Sequence, residues 1–128
     1  MSQENVKKKI LIIEDEKMLA EIYRDRFNHE GYEVHSAYDA EEGLKMTMKI
    51  KPDLIILDIL LPRANGTEYL EKKSAMEEIK NIPVIAYSNY DDADYKQKAK
   101  DLGVKDYLIK TNYTPKQISD IVKKHINE

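Results

Sequence analysis

The chain has 128 residues, of which 41% are hydrophobic and 35% charged, with a formal net charge of −3. That balance suits one soluble globular domain and speaks against disorder. There is no basic block for nucleic acid and no cysteine for disulfides or thiolate metal sites, and no apolar run approaches the roughly 18 residues that cross a bilayer. The opening "MSQENVKKKI" has no long apolar stretch of signal-peptide type, so a cytoplasmic location without membrane insertion is expected.

The first predicted strand is the β-branched run Ile10 to Ile13, followed by the acids Glu14, Asp15 and Glu16. Met18, Leu19, Ile22, Tyr23 and Phe27 recur at helical spacing, and Gly31 stops that helix. "YEVHSA" alternates as a second strand. Asp39 then stands as an N-cap with Glu42 three residues on, and Leu44 and Met48 form the stripe of a second helix that Pro52 ends. "DLIILD" is a third strand, apolar until Asp58. "LPRANG" has the punctuation of a loop, and a charged helix is expected from about Thr67 to Ile79. "IPVIAYS" is a fourth strand, and "DDADYKQKAKDLG" a helix stopped by Gly103. "KDYLIK" is a short fifth strand. "TPKQ" opens a last helix with Thr114 as N-cap, Pro115 in first position and Gln117 closing a capping box; Ile118, Ile121, Val122 and His125 give it one face.

Strand and helix thus alternate five times. Strands apolar on both faces and separated by helices imply an α/β fold, a single-domain doubly wound (βα)5 parallel sheet. In the flavodoxin-like order 2-1-3-4-5, Glu14 and Asp15 (strand one), Asp58 (strand three), Ser88 (strand four) and Lys110 (strand five) meet at one edge. Ligands of such sheets bind there, beyond the carboxyl ends of the strands. Taken singly, Asp58 reads as a turn or cap residue, Glu14 and Asp15 as helix N-terminal charges, and Ser88 and Lys110 as ordinary loop residues. Taken together they make a site. Clustered carboxylates repel one another, and a hard divalent cation such as Mg²⁺ relieves them. A carboxylate between such a cation and a lysine is a candidate nucleophile for a phosphoryl group.

The motifs "ILIIEDE", "PDLIILDILLPRANG", "IPVIAYS" and "DYLIK" resemble, in order and spacing, the CheY-like receiver domain of two-component response regulators. The resemblance spans about residues 8–126 and implies a receiver domain; a single domain over 1–128, with no output domain, is expected. It implies that Asp58 is the phosphorylated aspartate, Asp15 a direct metal ligand, Glu14 the second acid acting through water, and the Leu60 backbone carbonyl a third protein ligand. The metal is Mg²⁺ or a similar divalent ion such as Mn²⁺. Ser88 resembles the switch hydroxyl, Lys110 the family lysine and Tyr107 the rotating aromatic, although an aromatic there also serves as plain packing. Pro62 and Gly66 fit the loop after the phosphorylation site. The implied partners are a sensor histidine kinase or histidine phosphotransfer protein, and a downstream protein that reads the face of helix four, strand five and helix five. Direct contact with nucleic acid is not expected, and the chain is expected to be a monomer or weak dimer.

Three positions depart from the pattern: Glu14 replaces the usual Asp, Asn89 follows the switch serine where Ala or Gly is common, and Thr111 follows Lys110 where Pro is common. Two other classes fit the architecture less well. A flavodoxin-type carrier needs a hydroxyl- and glycine-rich phosphate loop where this chain has "EDEKML". A phosphohydrolase using an aspartate nucleophile needs a second Asp where this chain has Leu60. A receiver kept only as a binding module is the milder alternative. His29, His35 and His125 show no metal spacing, and Tyr87, Tyr90 and Tyr95 read as packing or interface residues near the switch.

Overall fold

A computed structural model describes residues 6–61, 65–89 and 91–127; Pro62 and Tyr90 lie outside them. Five parallel strands, β1 (Lys9–Ile13), β2 (Glu33–Ala37), β3 (Leu54–Asp58), β4 (Val84–Ser88) and β5 (Asp106–Ile109), form one sheet of order β2-β1-β3-β4-β5. This is the order expected from the sequence. The helices are α1 (Lys17–His29), α2 (Ala40–Ile50), α3 (Gly66–Ser74), α4 (Ala93–Asp101) and α5 (Pro115–Ile126).

Strand alternation divides the core in two. Leu11, Ile13, Ile55, Leu57, Val84 and Ala86 face α2, α3 and α4. Ile10, Ile12, Leu54, Ile56, Ile85 and Tyr87 face α1 and α5, against Tyr23, Phe27, Ile118 and Val122. With both faces covered, β3 and β4 are buried along their whole length, which is why their sequences do not alternate.

The helix signals act as read. Asp39 Oδ1 accepts the Glu42 amide at 2.8 Å, while the Glu42 carboxylate reaches back to the amide of Tyr38 rather than of Asp39. Thr114 and Gln117 complete the capping box. Gly103 has φ +91°, the left-handed conformation that closes α4 at low cost.

Three expectations are corrected. On α1 the buried residues are Ala20, Tyr23 and Phe27, while Met18 and Ile22 are exposed. On α2 the buried residues are Ala40, Gly43 and Thr47, with Gly43 close against Ile13; of the expected stripe Leu44 packs, half-buried, against the core, and only Met48 is exposed. α3 ends at Ser74 and not near Ile79. Ser74 Oγ bonds the Glu71 carbonyl at 2.8 Å, the chain turns through Met76 to Lys80, and Ile79 is buried from that turn.

Candidate functional site

Each polar residue of the site is placed by the end of an apolar strand. β1 runs into Glu14, whose amide continues the ladder to the Ala37 carbonyl at 3.0 Å. β3 ends in Asp58, beside Tyr87 in the β4 register, and β4 ends in Ser88, beside Ile109 of β5. Lys110 opens a short 3₁₀ turn directly after β5. The Lys110–Thr111 peptide is trans, as are all peptide bonds among the described residues, so the departure at Thr111 carries no cis bond.

Glu14 and Asp58 are buried, at 0% and 4% exposure, and Asp15 is exposed. Carboxylate oxygens of Glu14, Asp15 and Asp58 lie within 4.8 Å of one another. Lys110 Nζ bridges two of them, 2.8 Å from Glu14 Oε1 and 3.1 Å from Asp58 Oδ2. The Leu60 amide donates to Asp58 Oδ1 at 3.1 Å, fixing the peptide beside the carboxylate. Behind this loop Asn65 caps α3 through the amides of Thr67 and Glu68.

Gly66 donates its amide to the Ile59 carbonyl at 2.7 Å. A Cβ there would stand 2.9 Å from the Asp58 carbonyl oxygen and from Ile59 Cα, both main-chain atoms that cannot yield cheaply. Gly66→Ala is therefore expected to cost about 1–3 kcal/mol in urea unfolding; an unchanged midpoint would show that the loop shifts freely.

The sequence reading missed one member. Tyr87 is fully buried, its hydroxyl donates to Glu14 Oε1 at 2.6 Å, and the Lys110 ammonium sits 4.5 Å from its ring centroid. Glu14 thus accepts from Tyr87 and Lys110 on one oxygen and from the Glu16 amide on the other, at 3.0 Å. The signal lay in the register: the residue opposite Asp58 on a neighbouring strand carries a hydroxyl. Tyr87→Phe should lower stability at neutral pH by about 1–2 kcal/mol, since a buried carboxylate loses a donor. Urea unfolding of the metal-free protein reads this out.

Ser88 is buried, and Tyr107 lies on β5 beside Ala86 with its ring in the α2–α4 side of the core. Burial pushes the Tyr107 hydroxyl up, with nearby Ser88 opposing. That hydroxyl is buried and has no hydrogen-bond partner among the described residues. Asn89 is exposed next to Ser88.

The charges decide what the site can hold. Burial, and then the charge of Glu14, push the Asp58 carboxyl up to about 7, and Lys110 offsets only part of this. Burial works against Glu14 too, but hydrogen bonds from Lys110, Tyr87 and the Glu16 amide hold its carboxyl below the usual value. Burial also disfavours the Lys110 ammonium, yet its two carboxylate partners raise its pKa. Three carboxylates against one ammonium leave two negative charges. A divalent cation of the Mg²⁺ class would balance them through the hard oxygen ligands it prefers.

A doubly wound sheet with clustered acids and a lysine at its carboxyl edge defines a CheY-like receiver fold. The family model of the response regulator receiver domain matches residues 10–123, and the chain belongs to that family. Sporulation initiation phosphotransferase F of Bacillus subtilis is 33% identical over 118 residues, covering 92% of this chain and 93% of that protein. The alkaline phosphatase synthesis transcriptional regulatory protein PhoP of the same species is 33% identical over 116 residues, 91% of this chain but 47% of the regulator. A solved CheY-like receiver domain protein from Methanospirillum hungatei superposes with a TM-score of 0.89 at 27% identity, covering 95% of each chain. Receiver domains are signalling proteins that interact with histidine kinases and downstream effectors. No helix among the described residues is long and apolar enough to cross a membrane.

Proposed function

We propose that this chain accepts a phosphoryl group on Asp58 from a phosphohistidine of a kinase or phosphotransfer protein and passes the signal on by protein contact. The observation that carries this reading is the placement of Asp58: a buried carboxylate at a strand end, 3.1 Å from Lys110 and grouped with two further acids. An Asp58 oxygen attacks phosphorus, the phosphorus–nitrogen bond to the donor imidazole breaks, and the released nitrogen takes up a proton. Lys110 is already within reach of the attacking carboxylate and turns its ammonium to a phosphoryl oxygen. Water later attacks the same phosphorus and releases inorganic phosphate, which resets the signal.

In this reading Asp15, Asp58 and the Leu60 carbonyl would hold Mg²⁺ or Mn²⁺ directly. Glu14, with both oxygens engaged, serves from the outer sphere. The metal supplies positive charge for the phosphoryl oxygens. Ser88 then donates its hydroxyl to the phosphoryl group. Tyr107, adjacent to it, is repacked, and the α4–β5–α5 face shifts toward the form a downstream protein binds.

Incubation with a small-molecule phosphodonor, with and without Mg²⁺, followed by intact mass tests the chemistry. The expected result is an adduct of one phosphoryl group that forms only with Mg²⁺. No adduct, together with no amide shifts at Ser88 and Tyr107 on adding beryllofluoride and Mg²⁺, would leave only a binding module.

A further inference from the structure

A second site lies at the opposite end of the sheet from Asp58. A cavity of about 250 Å³ opens between α3, the end of α4 and the segments entering β4 and β5. Leu70, Leu102 and Val104 give it an apolar wall. Its charged lining is of one sign: Lys73, Lys80 and Lys105 all reach it, and none of the described residues lining it is acidic.

Lys73 is the member that needs explaining. It is 5% exposed, and its Nζ donates to the carbonyls of Lys80 at 3.1 Å and Ile82 at 2.7 Å. Those bonds tether the turn after α3 but use two of three ammonium donors. Lys80 is paired with Glu77 at 2.6 Å, whereas Lys73 and Lys105 form no ion pair among the described residues. Burying an ammonium without a countercharge is costly, and burial alone pulls this one down to about 8. A tether could be made by a neutral donor. A buried charge beside a second unpaired lysine and an apolar wall is the lining of an anion site.

We propose that this cavity binds a small organic anion, its carboxylate or phosphoryl group seated between Lys73 and Lys105 and its carbon skeleton against Leu70 and Leu102. The volume is just below the roughly 300–1,000 Å³ of drug-sized pockets, which fits a metabolite-sized ligand. Binding here does not require phosphorylation at Asp58.

The test is an amide-shift titration of the isotope-labelled, metal-free protein with sodium phosphate and, separately, with sodium succinate at fixed ionic strength. Omitting divalent metal leaves the Asp58 end acidic and repellent to both probes. The expected result is saturable shifts in the millimolar range at Leu70, Val84, Leu102, Gly103 and Lys105, for one probe or both. Phosphate alone would identify a phosphoryl ligand, and succinate alone a carboxylate. Lys73→Met should weaken binding about tenfold or more, as expected for one lost charge-assisted bond. Lys105→Ala, an exposed change that leaves the tether and the fold intact, should weaken it as well and carries the test if Lys73→Met does not fold. Shifts that never saturate, that map to the Asp58 end, or that are equal in the parent and Lys105→Ala would overturn the proposal.

Discussion

Asp58→Asn is expected to abolish phosphoryl uptake and, in the same protein, to stabilise the metal-free fold at neutral pH by about 1–3 kcal/mol. The first effect follows because an amide is no nucleophile for phosphorus, while Asn keeps the shape and its single acceptor oxygen can still take the bond from Leu60, at the expense of the one from Lys110. The second follows from the charge balance. The folded-state pKa of Asp58 is raised from 3.8 to about 7 by burial and by Glu14. Between those values the folded state binds more protons than the unfolded chain, so stability falls as pH rises through the window. The shift corresponds to about 4 kcal/mol at 1.36 kcal/mol per unit. Coupling to Glu14 and the lost bond from Lys110 reduce what the substitution recovers. The gain should therefore be full at and above pH 7, shrink steadily toward pH 4, and narrow when Mg²⁺ is added, because the cation relieves the same repulsion in the parent. Urea unfolding from pH 4 to 8, with intact mass after phosphodonor treatment, checks both halves. An adduct that persists in the variant would place the phosphoryl group elsewhere.

The site was legible to the extent that it is a property of strand ends. Each of Glu14, Asp58, Ser88 and Lys110 closes an apolar run, and parallel topology brings such ends to one edge whatever the details of packing. Even the helix boundaries at Asp39, Gly103 and Thr114 follow from local caps. What the sequence hid depends on packing between elements. Met18 and Ile22 keep helical spacing with Tyr23 and Phe27, but the small Ala20 faces the sheet and they do not. Ile79 extends the apolar period of α3, yet is buried from a turn, after Ser74 has taken the Glu71 carbonyl that a longer helix would have used itself and Lys73 has tethered the carbonyls of Lys80 and Ile82 beyond the turn. Tyr87 sits in the apolar run "IPVIAYS", where its ring accounts for its presence. Only the distance to Glu14, 73 positions away in the chain, reveals the hydroxyl's task. Lys73 was one charge in a charged helix until burial set it apart.

Lys110→Met is expected to have the largest effect on the fold, a loss of about 3–5 kcal/mol at neutral pH without divalent metal. Methionine fills the stem of the lysine and keeps contact with the Tyr87 ring, so the change is close to pure removal of charge. Glu14 and Asp58 are then both buried without a cation, and breaking a buried pair by removing one partner costs this much because the other charge is stranded. The pH dependence gives the cause away. In the parent, Glu14 has a lowered folded pKa; it contributes stability above about 4.5 that is lost as pH falls through the folded value. Without Lys110 the burial that opposes this shift dominates, the Glu14 carboxyl rises, and its contribution changes sign. Two carboxylates then take up protons on folding, so the deficit should shrink as pH falls from 7 toward 5, and it should shrink at pH 7 on adding Mg²⁺. Phosphoryl uptake should also slow about a hundredfold, the effect of losing one charge-stabilising donor. If the variant unfolds at the parent's midpoint with the parent's slope against pH, the acids are held by something other than this lysine. The same outcome would remove the electrostatic argument for a dication between Glu14, Asp15 and Asp58.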